Sequence, residues 1–226
     1  MSICKQLCQS NYMKQHMSSR FCGSCVVAGT LLSLIPAVAL HLLRPDYNPL
    51  RNFLSEYLVG PYGFLGMATA YMMAATFLML LVGLRFSVHP SGFLTASCVL
   101  LGVMVISVCV CAVFPIDLIP PDGSRPTFTR ACIIHLGSSV LGGVSLIALI
   151  LTLPSAYKRD EKWRSFSQTT LFLGFLILVS LLGLILVPFY LRGLAQRVMG
   201  LVVLIWLLLT GQRLRQAIPS THGTAA

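Results

Sequence analysis

The sequence predicts an all-α polytopic membrane protein, a bundle of six transmembrane helices with a short interfacial helix after the first. Of its 226 residues, 56% are hydrophobic and only 10% are charged, whereas a soluble globular domain carries about 25% charged residues. The mean hydropathy is +0.84. A membrane-spanning helix needs roughly 20 apolar residues, and six runs reach this length, at about residues 24–43, 62–84, 93–114, 131–153, 169–189 and 195–212.

The connections between these runs leave no room for a separate soluble domain. We expect one membrane domain at residues 24–215, preceded by a tail at 1–23 and followed by a tail at 216–226. The first apolar run is too long for the core of a secretory signal peptide and lacks a convincing small-residue cleavage site. It is therefore predicted to remain as an anchor helix.

The distribution of basic residues predicts the orientation of the bundle. If both termini are cytoplasmic, the inner segments hold ten Lys and Arg residues and the outer segments hold six. An excess of basic residues in short loops marks the cytoplasmic side, so both termini are expected there. The formal net charge of +10 is then explained by topology and by anionic lipid headgroups. Membrane lipids are the expected partners, and nucleic acid is not.

The eight cysteines do not indicate a disulfide scaffold. Four lie in or at the ends of predicted helices, where buried cysteine behaves as a small hydrophobe. A zinc site needs about four ligands at a suitable spacing, and no such pattern is present. We interpret the remaining thiols near the first helix as juxtamembrane residues, open to lipidation in a host that performs it: Cys4, Cys8, Cys22 and Cys25.

Alternation of six helices brings three unusual connections, at about 44–61, 115–130 and 190–194, to one membrane face. Most of the polar residues that are unusual for short membrane loops lie in these connections or next to them. A charge inside a membrane segment usually has a partner, so Arg197 is expected to pair with Glu56 or Asp117. His135 and Gln196 lie at the same face.

The segment "RPDYNPLRNFLSEY" (44–57) opens this face. Pro45 and Pro49 disfavour helix just before them, whereas "LRNFLSEY" can form a short amphipathic helix at the membrane interface. Helical spacing aligns Asn48, Asn52, Ser55 and Glu56 along one face. We expect this polar face to cover an outward-facing polar pocket.

Three short motifs give the chain a family resemblance. They are Asn52, Ser55 and Glu56 of "NFLSE", Phe114, Pro115 and Asp117 of "FPID", and Gly193, Leu194, Gln196 and Arg197 of "RGLAQR". With an early fourth-helix histidine, their order resembles the domain of unknown function 998 family over about residues 24–215. The resemblance implies a multi-pass protein of the prokaryotic plasma (inner) membrane. It also implies a distant similarity to the Frag1/DRAM/Sfk1 membrane proteins, some linked to lipid-anchor remodelling or phosphoinositide handling.

The first functional hypothesis is a non-enzymatic binder of a lipid headgroup or small anionic ligand, or a partner of another membrane protein. Arginine matches phosphate bidentately, and Arg44, Arg51, Arg192 and Arg197 would supply it. Amide groups would bond ligand hydroxyls. The predicted ligand-binding residues are Arg44, Asn48, Arg51, Asn52, Ser55, Glu56, Asp117, His135, Gln196 and Arg197.

Two alternatives stay open. A membrane-embedded lipid hydrolase or transferase would use Glu56, Asp117 and His135 as an acid–base set or as ligands of a divalent metal. No other cofactor is predicted, and no motif supports Ser55 as a nucleophile. A transporter is the other alternative, but transporter sites usually lie near the bilayer midplane, where this sequence is apolar.

Overall fold

The computed structural model describes the backbone of residues 2–118 and 128–216 and the side chains of residues 17–118 and 128–216. Within these ranges the chain is helical, without strands, and all six α-helices are long and apolar enough to cross a membrane. The predicted fold class is therefore confirmed. The helices are α1 (Ser2–Leu43), α2 (Gly63–Ser87), α3 (Gly92–Val113), α4 (Arg130–Lys158), α5 (Arg164–Leu186) and α6 (Arg192–Gln216).

Several helices extend beyond the apolar runs that predicted them. α1 begins at Ser2, so most of the predicted polar tail is helical, although its membrane-crossing part is Met17–Leu43. The side chains of Cys4 and Cys8 and all but the first residue of the predicted tail 216–226 lie outside the described residues. α4 continues through Pro154, and α5 ends before Pro188.

The six helices form a closed ring in which each helix packs against its neighbours in sequence and α1 packs against α6. The ring encloses an apolar core to which α2, α4 and α6 contribute fully buried leucines, among them Leu80, Leu149 and Leu207. Only 22–28% of each apolar window is buried inside the protein. The remaining apolar surface faces outward, as a bilayer requires.

The seam between α1 and α6 closes the ring. A Cβ atom placed on Gly23 would lie 2.7 Å from the carbonyl oxygen of Gly211 and 2.8 Å from the backbone nitrogen of Arg215. The buried Ser19 hydroxyl donates to the carbonyl oxygen of Leu214 at 3.1 Å. Small residues allow such close backbone approach in membranes, so the absence of a side chain at Gly23 is required here.

The α4–α5 loop, which is predicted to be cytoplasmic, is bonded to the end of α2 and to the α2–α3 loop. Asp160 is buried, and its carboxylate accepts the backbone N–H groups of His89 (2.8 Å) and Lys162 (2.9 Å). The indole of the fully buried Trp163 donates to the hydroxyl and carbonyl oxygens of Ser87 at 3.3 Å. These bonds join the α2–α3 and α4–α5 connections at the membrane face opposite the predicted pocket.

The close approach at the seam predicts that Gly23→Ala destabilises the protein. The added methyl group meets backbone atoms of α6, and overpacking of this kind costs about 1–3 kcal/mol. The matched control is Gly143→Ala, where the added Cβ has no atom within 4 Å. Thermal unfolding in detergent checks this, and equal melting temperatures for the two variants would contradict the proposed tightness of the seam.

Candidate functional site

The α1–α2 connection, residues 44–62, lies against the N-terminal end of α6. The backbone N–H of Leu194 donates to the carbonyl oxygen of Leu50 at 3.0 Å. A Cβ placed on Gly193 would lie 2.5 Å from the carbonyl oxygen of Asn52 and 2.6 Å from that of Pro49. Only glycine leaves room for this contact, which explains why the "RGLAQR" motif carries a glycine at this position.

Arg197 anchors the connection to α6. Its Nη1 donates to the carbonyl oxygens of Asn52 (2.8 Å) and Gly193 (2.9 Å), and its Nε donates to Nε2 of His41 at 3.0 Å. Its Nη2 lies 3.4 Å from the Tyr57 hydroxyl. The carbonyl oxygen of Asn52, which lies in the connection, thereby accepts from a charged donor, and such a hydrogen bond is strong.

The predicted pairing of Arg197 with Glu56 or Asp117 is wrong. Within the described part of the chain no ion pair joins Arg197 to either carboxylate, and its hydrogen bonds go to neutral acceptors. Glu56 acts on Arg197 electrostatically without a salt bridge, and the side-chain amide of Asn52 donates to the Glu56 carboxylate. The Glu56 carboxylate also accepts the backbone N–H of Phe53 at 3.1 Å, so it is satisfied locally.

His41 belongs to this network, although the sequence analysis did not select it. Its Nδ1 donates to the carbonyl oxygen of Ala37 at 2.7 Å, which leaves Nε2 as the acceptor for Arg197. Its ring stacks on Tyr57 at 5.0 Å, and Tyr47 packs edge-on against the same tyrosine at 5.0 Å. Burial raises the pKa of Tyr57. The sequence feature that could have pointed to His41 is Arg197, a charged residue inside α6 that requires a hydrogen-bond partner.

The interfacial helix is shorter than predicted. It is a 3-10 helix over Leu54–Leu58, and residues 45–53 form turns. Asn48 Oδ1 accepts the backbone N–H of Leu50, and Asn52 Oδ1 accepts that of Asn48, both at 2.9 Å. Side-chain bonds of this kind compete with helix formation. The start of the 3-10 helix is bonded to α6, because Gln196 Oε1 accepts the backbone N–H of Leu54 at 2.6 Å.

Arg44 joins the two ends of the same connection. Its side chain is buried and holds Asp46 through Nη2–Oδ2 at 2.8 Å and Nε–Oδ1 at 3.0 Å. Its Nη1 donates to the carbonyl oxygens of Val59 (2.9 Å) and Pro61 (3.2 Å). Hydrogen bonding to Arg44 lowers the pKa of Asp46. Arg44 was predicted to bind a phosphate, but its N–H groups donate to acceptors within the protein.

Asp117 and His135 hold the α3–α4 connection. The Asp117 carboxylate accepts the backbone N–H (2.7 Å) and the hydroxyl (3.0 Å) of Thr129, the N-cap residue of α4. His135 is 3% exposed, and its Nδ1 bonds the carbonyl oxygen of Phe114 at 2.7 Å and lies 3.2 Å from that of Cys111. It thus caps the end of α3. Among the described residues, no three His, Cys, Asp or Glu side chains could hold a metal ion.

A cleft of about 340 Å³ opens beside the α1–α2 connection. Arg51 is exposed, and its guanidinium carbon lies 5.2 Å from the centre of the Phe189 ring. The guanidinium carbon of Arg192 lies 5.5 Å from the same ring centre, and its Nε is buried without a hydrogen-bond partner in the described residues. The cleft is lined by Asp46, Tyr47, Asn48, Arg51, Asn52, Glu56, Leu118 and Phe189.

The structure divides the predicted ligand-binding residues into three groups. Four of them line the cleft: Asn48, Arg51, Asn52 and Glu56. Ser55 lines a second, mainly apolar cavity of about 180 Å³ between α1, the 3-10 helix and α2. The lining of the cleft does not include the other five, Arg44, Asp117, His135, Gln196 and Arg197.

The bonds of Arg197 predict that Arg197→Gln loosens the α1–α2 connection. The Asn52 carbonyl oxygen and Nε2 of His41 lose their donor, and a buried group left unsatisfied costs about 1–3 kcal/mol. We expect a lower melting temperature and faster proteolysis within residues 44–62. The control is the exposed Arg130→Gln, which we expect to stay within about 0.5 kcal/mol of wild type. Equal cleavage rates for the two variants would contradict the anchoring role.

The cap that His135 provides predicts that His135→Ala lowers stability without changing the metal content. The Phe114 carbonyl oxygen loses its donor in a buried site, at a cost of about 1–3 kcal/mol. Elemental analysis of the purified protein, together with thermal unfolding, checks both points. Near-stoichiometric divalent metal in the wild type, lost in the variant, would instead support the metal-dependent alternative.

Comparison with known proteins identifies the family of the chain. A family model described as protein of unknown function (DUF998) matches residues 27–213, a range that includes every motif on which the resemblance rested. No curated protein and no solved structure matches the chain. The distant similarity to Frag1/DRAM/Sfk1 proteins stays a prediction. With six membrane-crossing helices and a match over most of its length, the chain belongs to the DUF998 family.

Proposed function

We propose that the protein binds the anionic headgroup of a membrane lipid in the cleft beside the α1–α2 connection. The observation that carries this proposal is Arg51, an exposed arginine at the cleft wall. Within the described part of the chain its guanidinium packs near Phe189 without a hydrogen-bond acceptor. A phosphate is the natural ligand for such a group, because it accepts two parallel hydrogen bonds from a guanidinium.

The contacts of the four candidate arginines support this assignment. Arg44 and Arg197 donate to acceptors within the protein, so they are structural. Arg51 and Arg192 instead both pack near the ring of Phe189. An arginine packed near an aromatic ring keeps its N–H groups available for an anion.

The other polar groups of the cleft suit a ligand that also carries hydroxyls. The amide nitrogen of Asn48 has no acceptor among the described residues, whereas its Oδ1 accepts from Leu50. Glu56 is a charged acceptor held by Asn52. A glycerol or sugar next to the phosphate would meet both an amide donor and a carboxylate acceptor. The charge of Asp46 is balanced by Arg44, which reduces repulsion of the anion.

The proposal includes the predicted topology. With both termini in the cytoplasm of a prokaryotic cell, the cleft opens on the outer side of the plasma membrane. The support for this orientation is the distribution of ten basic residues against six. A protein that holds a lipid at this face could also present it to another membrane protein, which is the partner role that we propose beside simple binding.

The proposal predicts that Arg51→Gln weakens the binding of an anionic lipid. A hydrogen bond to a charged group contributes about 1.5–3 kcal/mol, which corresponds to roughly a 10- to 100-fold loss of affinity. Phosphatidylglycerol bound per protein is measured by native mass spectrometry from phosphatidylcholine nanodiscs that contain phosphatidylglycerol. Arg130→Gln removes an exposed arginine outside the cleft lining and is the control. Equal occupancy in Arg51→Gln and wild type would exclude the cleft as the site.

A further inference from the structure

We propose that the ligand is an amphiphile whose hydrocarbon chain occupies the apolar cavity on the other side of the 3-10 helix. This inference rests on the proposed function, because it assigns the charged end of the same molecule to the cleft. It narrows the ligand class from any phosphate-bearing anion to an acylated or otherwise hydrocarbon-bearing lipid. The cavity has a volume of about 180 Å³, and its lining includes Ala37, Leu54, Ser55, Gly66 and Ala70.

The cavity lies at the depth of lipid chains. Ala37 precedes the end of α1 by six residues, and Ala70 follows the start of α2 by seven. With a rise of about 1.5 Å per residue, the cavity extends roughly 10 Å from the helix ends toward the bilayer centre. The cleft, by contrast, is lined by residues of the connections. The two spaces therefore match the polar and apolar parts of one lipid.

Small side chains keep the cavity open. Alanines at 37 and 70 and a glycine at 66 face it from α1 and α2. A Cβ on Gly66 would lie 3.1 Å from a methyl carbon of Leu58 and 3.2 Å from the Tyr57 carbonyl oxygen. The 3-10 helix thus rests on α2 above the cavity. An apolar cavity of about 150 Å³ binds a molecule the size of benzene, so this space accepts several methylene groups.

The two spaces share one thin wall. Leu54 and Ser55 line the cavity, and Glu56 lines the cleft. A 3-10 helix has three residues per turn, so consecutive side chains point about 120° apart, and one turn presents an apolar side and a polar side. Leu54 is exposed at this boundary. A lipid that crosses the edge of this single turn has its phosphate near Arg51 and its chain between α1 and α2.

The test compares one headgroup with and without chains. The probes are dioctanoyl phosphatidylglycerol and its deacylated form, glycerophosphoglycerol, with protein in phosphatidylcholine nanodiscs. Burial of two methylene groups corresponds to about a tenfold gain in affinity. We expect Ala70→Leu, which fills the cavity, to weaken the acylated probe about tenfold and to leave the deacylated probe unchanged. Ala39→Leu, at a position outside the cavity lining, controls for partition into the bilayer and should change neither.

Each outcome decides between the two proposals. If Ala70→Leu binds the acylated probe like wild type while Arg51→Gln loses both probes, the chain site is overturned and headgroup binding stands. If Arg51→Gln binds both probes as wild type does, or if wild type binds neither probe, the proposed function fails and this inference fails with it. Ala37→Leu fills the cavity from the opposite wall. It replaces Ala70→Leu if that variant melts below the control, and an unchanged affinity for the acylated probe would again overturn the chain site.

Discussion

The structure of the candidate site depends on the guanidinium of Arg197. It lies five residues inside α6, where a charge without partners would be costly. It is satisfied by the carbonyl oxygen of Asn52 and by His41 at the end of α1. One side chain therefore ties the α1–α2 connection to two helices, and the bonds of Leu194 and Gln196 add to it. Gly193 also permits this contact, because the absence of a Cβ lets the backbone of α6 approach the backbone of the α1–α2 connection.

This anchoring also determines which groups remain for a ligand. An arginine near a membrane surface either satisfies protein acceptors or stays available to an anion, and the two roles are separated in this chain. Arg44 joins the two ends of the connection through the carbonyl oxygens of Val59 and Pro61, whereas Arg51 packs near Phe189. Arg44 and Arg197 thus hold in place the loop that carries the exposed Arg51. This arrangement would suit the site that we propose, because a binding site is more precise when other residues hold its ligand-contacting residues in place.

The sequence predicted the class and the helix count well, because apolar run length is a direct physical requirement of a bilayer. It also selected the loops that meet at one face, since alternation follows from the helix count. It could not predict partners within that face. Glu56 and Asp117 were candidates for Arg197 by charge, but Glu56 accepts the N–H of Phe53, three residues away, and Asp117 accepts the N–H and hydroxyl of Thr129, twelve residues away. His41 was missed because its partner is 156 residues distant, and spacing along the chain carries no signal at that range.

The closed ring has a consequence for the order of events during synthesis. The α1–α2 connection leaves the ribosome early, but its anchor arrives 145 residues later, with α6. The seam between Ser19 and Leu214 spans 195 residues. Until the last helix inserts, the hairpin of α1 and α2 lacks α6 as a neighbour, and the carbonyl oxygens of Leu50 and Asn52 lack the donors that α6 supplies. The cleft is therefore a product of complete insertion, and a nascent chain halted before α6 would carry all of the loop's residues without the site.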